Sequence, residues 1–179
     1  MPQTIFEPGS TLEWRQPGPA KEGFVLTAGD KEIARFWVKG WKVSSSHGEC
    51  SLGRWVFRKE GFWNPHYLIR EENTEIDVAE FFPKWHRSGG RIQFANGKEF
   101  SWKPEGTFAR VYVISDPAGA PVLRLRPGGK GSFWKRLFKE EGELEIGTVS
   151  VDPKTLHVLM MFIWHLVLML KQQRAAATS

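Results

Sequence analysis

The apolar residues of this chain follow two patterns along its length. From about residue 24 to residue 151 they form short runs, rich in β-branched and aromatic residues, separated by Gly, Pro, Asn and Asp. This pattern predicts β-strands joined by turns. Near the C-terminus, residues 156–170 form one uninterrupted run with no charge, Gly or Pro, which predicts a helix.

The residues around the C-terminal run suit the two ends of a helix. Asp152 and Pro153 precede it and cations follow it, so we predict a helix over 154–171 and a polar tail over 172–179. A helix that is apolar on all faces is either buried in protein or spans a membrane. The fifteen residues of 156–170 rise only about 22 Å, against about 30 Å of hydrocarbon. This favours a core helix; the alternatives are a tail anchor, extended by the flanking residues, and a surface helix.

The upstream runs predict one antiparallel β-barrel that encloses this helix. We assign residues 1–23 to an irregular lead-in with at most one edge strand, and residues 24–171 to the barrel and its helix. Residues 44–48 read as a polar turn, and Asn96-Gly97 is a strong hairpin turn. A closed barrel has no sheet edges but leaves an interior to fill, which an apolar helix would do. The runs predict ten strands, at 24–26, 33–38, 50–58, 66–70, 76–82, 91–94, 99–102, 108–114, 122–126 and 144–151.

Composition and charge indicate which partners and which cellular compartment to expect. The 179 residues carry a formal charge of +5, which favours anionic partners such as nucleic acid or a phospholipid surface. Cys50 is the only cysteine, so no disulfide can form within the chain. The N-terminal residues lack the basic and apolar regions of a signal peptide. We therefore expect a cytoplasmic protein, either free or peripheral at a membrane.

The order of the predicted elements resembles the tubby-like superfamily, which includes the phospholipid scramblases. The resemblance covers about residues 24–170, and its segments are WVFRKEGFWNP at 55–65, YLIR at 67–70, ISDPAGAPVL at 114–123 and VSVDPKTLH at 149–157. It implies a barrel around a C-terminal helix and an affinity for lipid. It does not imply a calcium site here, because only Asp152 directly precedes the helix, whereas calcium takes about six to eight oxygen ligands.

One basic stretch, residues 122–139, is the best candidate for a lipid-binding site. It holds six cations together with Phe133, Trp134 and Phe138, and a basic segment with Trp and Phe suits a membrane interface. It could also be a solvated hairpin loop, whose positive electrostatic field is partly cancelled by the glutamates that follow. A less favoured alternative is a binding site for single-stranded nucleic acid. The predicted lipid-binding residues are Arg124, Arg126, Lys130, Trp134, Lys135, Arg136 and Lys139.

No spacing in the chain identifies a catalytic, cofactor or metal site, so we predict none of these. An enzyme, as an alternative, would require a cleft where His47, His66, His86 or Cys50 converge. His157 and His165 lie eight residues apart on the predicted helix, too far to bind one metal, and each is expected to donate to a buried acceptor such as a barrel carbonyl. The function that we expect is a non-catalytic module that associates with anionic phospholipid. The alternatives are a tail-anchored protein with a β head and an enzyme.

Overall fold

The structure, a computed structural model, is a closed barrel of twelve antiparallel strands around one helix. It describes residues 6–17, 23–39, 45–61, 63, 65–84, 88–106, 111–128, 141–148 and 150–177. The strands are β1 (Thr11–Arg15), β2 (Phe24–Ala28), β3 (Lys31–Val38), β4 (Ser45–Cys50), β5 (Gly53–Glu60), β6 (His66–Glu71), β7 (Ile76–Pro83), β8 (Gly90–Phe94), β9 (Glu99–Glu105), β10 (Val111–Ser115), β11 (Pro121–Pro127) and β12 (Gly142–Ile146), and the helix is α1 (Pro153–Ala177). The predicted fold class is therefore confirmed.

Each strand pairs with its neighbours in sequence, and β1 pairs with β12 to close the barrel. Since successive strands run in opposite directions, their connections alternate between the two ends. At the entry end, where α1 begins, the connections are short: 29–30, 51–52, 72–75, 95–98, 116–120 and 147–152. At the exit end, where α1 finishes, they are 16–23, 39–44, 61–65, 84–89, 106–110 and 128–141.

The helix fills the barrel. Every residue from Thr155 to Met169 is buried, on all faces, against the inward side chains of the strands. The tail-anchored alternative would require the withdrawal of this segment from the barrel. The helix is also longer than predicted, because Gln172 to Ala177 continue it where we predicted a polar tail. Alanine and glutamine are good helix formers, and here they extend an existing helix out of the exit end.

One strand was missed in the sequence, and another was expected at most as an edge strand outside the barrel. The lead-in contains β1, whose Leu12 and Trp14 point inward, so the barrel begins at Thr11 and not at residue 24. The predicted turn at 44–48 is wrong, because residues 45–48 lie in β4, and Ser44 lies outside the described residues. The inward positions of β4 include Ser46 and Gly48, and a β-carbon on Gly48 would lie 2.5 Å from Met161 Sδ. The bulk of the helix thus leaves room only for small residues, and β4 looks polar in sequence.

Candidate binding site at the exit end of the barrel

The two ends of the barrel differ in the chemistry of their connections. By sequence, the entry-end connections contain no Phe, Trp or Tyr, and their charged residues are five acids and one lysine: Asp30, Glu72, Glu75, Asp116, Asp152 and Lys98. The exit-end connections contain ten cations against three acids. The cations are Lys21, Lys39, Lys42, Lys84, Arg87, Arg110, Lys130, Lys135, Arg136 and Lys139, and the acids are Glu22, Glu140 and Glu141.

Aromatic residues follow the same division. The exit-end connections carry Trp41, Phe62, Trp63, Trp85, Phe108, Phe133, Trp134 and Phe138. Trp63 lies in the described part of the chain and is 93% exposed, although tryptophan usually buries most of its surface. By sequence, the connections at the exit end therefore combine positive charge with aromatic residues, whereas those at the entry end have a net negative charge and no aromatic residue.

A cleft of about 650 Å³ lies at the exit end, between the helix and one side of the barrel wall. Its inner side is formed by Leu166, Met169, Leu170 and Gln173, which share one helical face. Its outer side comes from β6 to β9 and includes Tyr67, Phe81 and Trp102. These side chains make the depth of the cleft apolar.

The cleft exists because the helix is packed tightly against the opposite wall. Trp164 stacks on Trp14 with ring centroids 5.4 Å apart and meets the edge of Phe24 at 5.3 Å. A β-carbon at Gly142 would come within 2.8 Å of the Trp164 ring, so this glycine permits the close approach. At 100° per residue, the face that lines the cleft lies roughly 180° from Trp164. Close packing on the side of β1, β2 and β12 thus leaves space on the other side.

Two lysines lie at the mouth of this cleft. Lys59 follows Trp55 and Phe57 on the inward-facing positions of β5, and it is exposed because it lies at the rim. Lys84 follows β7 and is also exposed. Among the described residues that line the cleft there is no carboxylate. The cleft thus has an apolar depth and a positively charged mouth.

The predicted lipid-binding residues are only partly placed. Arg124 lies 3.4 Å from Glu105, and Arg126 lies 3.2 Å from Glu143 and 3.8 Å from Glu145, all on the outer wall. Both arginines therefore have carboxylate partners there. The other predicted residues, Lys130, Trp134, Lys135, Arg136 and Lys139, lie outside the described residues, in the connection from β11 to β12.

The candidate catalytic residues do not converge in the described part of the chain. His47 lies 3.3 Å from Glu72 on the outer wall, and His66 lies 3.5 Å from Glu80 near the exit end. Cys50 is at the entry end, where burial raises the pKa of its thiol and so disfavours the reactive thiolate. His86 lies outside the described residues. Within the described residues, no group of three or more His, Cys, Asp or Glu side chains could hold a metal ion.

A serine–histidine pair lies inside the barrel, between two residues 119 positions apart that no sequence motif connects. Ser46 Oγ and His165 Nδ1 are 2.6 Å apart, as in a nucleophile and its base, but both side chains are fully buried. Burial lowers the pKa of His165 to about 3, and the rings of Phe57 and Tyr67 pack around it. A substrate has no access to this pair, which instead ties the helix to β4.

The second helix histidine is satisfied within its own helix. His157 Nδ1 lies 2.7 Å from the carbonyl oxygen of Pro153, one turn back, and not from a barrel carbonyl as expected. Burial lowers the pKa of His157, and the bond to Pro153 opposes this shift. The histidine is thus part of the helix start and not of a metal site.

Ion pairs at the entry end hold the start of the helix. Asp152 accepts a hydrogen bond from the backbone N–H of Thr155, at 3.0 Å, and another from Lys98 Nζ. Burial alone would raise the pKa of Asp152, but these bonds outweigh it and lower the pKa to about 2. Lys154 Nζ lies 2.8 Å from Glu71 Oε1. The capped helix start is therefore fastened to two hairpins of the barrel.

Among the described residues, one helix, Pro153–Ala176, is long and apolar enough to span a membrane by length and composition, and 83% of its apolar 18-residue segment is buried inside the protein. No protein-family model, curated protein or solved structure matches the chain.

Proposed function

We propose that the protein associates with anionic phospholipid at a membrane surface through the exit end of its barrel, as a non-catalytic module of the tubby-like type. The observation that carries this proposal is the division of cations and aromatic residues between the two ends. In this proposal the protein is cytoplasmic and peripheral at the membrane.

Both residue classes at the exit end favour a bilayer interface. A basic residue near an anionic leaflet contributes about 1 kcal/mol, reduced by salt, and tryptophan prefers the headgroup region. The entry end has a net negative set of connections, so an anionic surface repels it. The molecule is thus expected to approach a membrane in one orientation, with the helix axis directed towards the bilayer.

The test is flotation of the intact protein with vesicles of phosphatidylcholine, with and without phosphatidylserine, at low and high salt. We expect binding only with phosphatidylserine, weakened by salt. Lys135→Glu with Arg136→Glu should reduce the bound fraction by about tenfold or more, since two positive charges are reversed.

The matched control reverses the same charge at the other end. Lys31→Glu with Arg54→Glu alters two cations near the entry end and leaves the exit end unchanged. This variant should keep most of the binding. An equal loss in the two variants, or equal binding to vesicles without phosphatidylserine, would contradict the proposal. Binding to single-stranded oligonucleotides in place of vesicles would favour the nucleic-acid alternative.

A further inference from the structure

The cleft at the exit end has its own chemistry, although Lys84 of connection 84–89 lies in its lining. Strand and helix residues form most of its depth, among them Phe81, Trp102, Leu166 and Met169. Its volume of about 650 Å³ falls within the usual range for a small-molecule site, about 300–1,000 Å³. The cleft is therefore large enough to receive a ligand, whereas flat contact with a bilayer would not require such depth.

We propose that this cleft binds the alkyl chain of an anionic amphiphile, with its head group between Lys59 and Lys84. The inference rests on the proposed function in placing lipid at the exit end, and it names a ligand for one defined site there. The chain would lie between the helix face of Leu166, Met169 and Leu170 and the rings of the wall.

Charge and topology favour this occupant over a peptide. The described lining contains two lysines and no carboxylate, which suits an anionic head group. The barrel is closed, so it presents no free strand edge on which an extended peptide could add hydrogen bonds. An apolar chain needs no hydrogen bonds from the cleft, and the aromatic and aliphatic lining provides contacts along it.

The first measurement is a calorimetric titration of the intact protein with monomeric octanoate, decanoate and laurate. We expect the affinity to rise about fourfold for each added methylene until the cleft is full. Dodecyltrimethylammonium, whose alkyl chain is one carbon longer than that of laurate but whose head is cationic, should bind at least about tenfold more weakly than laurate. Equal binding of the two, or no dependence on chain length, would overturn the proposal.

Two variants test the two halves of the site. Leu170→Trp adds bulk inside the cleft at a half-buried position and should abolish laurate binding. Lys59→Glu with Lys84→Glu should lower the affinity for laurate by about tenfold or more and raise the affinity for dodecyltrimethylammonium. Lys39→Glu, also at the exit end but outside the cleft lining, is the matched control and should leave the laurate affinity unchanged. Thermal melting confirms that each variant is folded.

The vesicle experiment keeps this inference separate from the proposed function. Vesicle binding without laurate binding would overturn the cleft proposal and leave the proposed function in place. Laurate binding without vesicle binding would overturn the proposed function and keep the cleft as a site for soluble amphiphiles. Unaltered laurate binding by Leu170→Trp would show that the chain binds elsewhere, and so would overturn the proposal.

Discussion

The two ends of this barrel differ in how they hold the helix. At the entry end, short acidic turns and the bonds of Asp152 and Lys154 fasten the start of the helix to the hairpins. At the exit end, the connections are longer and carry cations and aromatic residues. There the helix is separated from one side of the barrel wall by a cleft. A single buried helix can therefore be held at one end and leave the other end available for binding.

The largest effect should come from removal of the helix. A chain that ends at Asp152 loses every side chain that fills the barrel, from Thr155 to Met169. The inward rings of the strands would then face water, and a hollow barrel of this size has no alternative core. We expect aggregation and no cooperative melting by circular dichroism. A soluble, cooperatively folded product would show that the barrel stands without its helix, and would revive the tail-anchored alternative.

The next prediction compares the loss of stability caused by substitutions on the packed side of the helix and on the side that faces the cleft. Trp164→Ala leaves a large cavity among Trp14, Phe24 and Gly142, and should cost about 3–5 kcal/mol in the free energy of unfolding. Leu170→Ala, on the cleft side and only partly buried, should cost about 1 kcal/mol or less. Urea denaturation of the two variants gives both values. Equal costs would mean that the helix is packed equally on both sides.

Acid should weaken the tie between the helix and β4. His165 has a folded pKa of about 3, below its ordinary 6.5, so only the unfolded chain takes up a proton between these values. Stability is therefore lost as the pH falls below about 6.5, by roughly 3 kcal/mol at pH 4. His165→Asn should flatten this dependence in urea titrations, while Ser46→Ala, which keeps the imidazole, should retain it. An unchanged slope in His165→Asn would assign the acid sensitivity to other groups.

The smallest effect concerns the ion pair at the entry end. The pKa of Asp152 is lowered to about 2 from an ordinary 3.8, so its stabilisation is present above about pH 4 and is lost as the pH falls towards 2. The carboxylate is partly exposed, so screening limits the contribution to below about 1 kcal/mol. Asp152→Asn keeps a capping side chain but removes the charge. Its deficit in unfolding free energy should be measurable at pH 7 and absent near pH 2; a deficit that persists in acid would point to the cap and not to the charge.

The sequence predicted the fold better than the site, for physical reasons. Strands with bulky alternating residues, such as those containing Trp55 or Trp102, were found because their pattern is local. The strand β4 was not found, because its inward positions, Ser46 and Gly48, carry small residues. These positions must be small because the helix lies close to them, and this contact is not visible in the local sequence. The basic stretch at 122–139 was recognised as a lipid candidate, but the cleft was not, since its lining comes from strands and a helix far apart in the chain.

The missed strand also concealed the asymmetry of the ends. Since antiparallel strands alternate in direction, the omission of β4 assigns every later connection to the wrong end. The cations and aromatic residues of connections such as 39–44 and 61–65 then appear to be divided between the two ends. With β4 in place they fall together. One local error in a meander therefore separates connection 39–44 from the later basic connections, which share one end with or without β4.

The orientation of the protein on a vesicle shows which end of the barrel faces lipid. Single cysteines at Ser88, exposed at the exit end, and at Asn73, exposed at the entry end, would be labelled with a polarity-sensitive dye in a Cys50→Ser background. On addition of vesicles that contain phosphatidylserine, we predict a blue shift of the dye at position 88 and none at position 73. A shift at position 73 alone, or equal shifts at both positions, would contradict the assignment of the exit end as the lipid-facing surface.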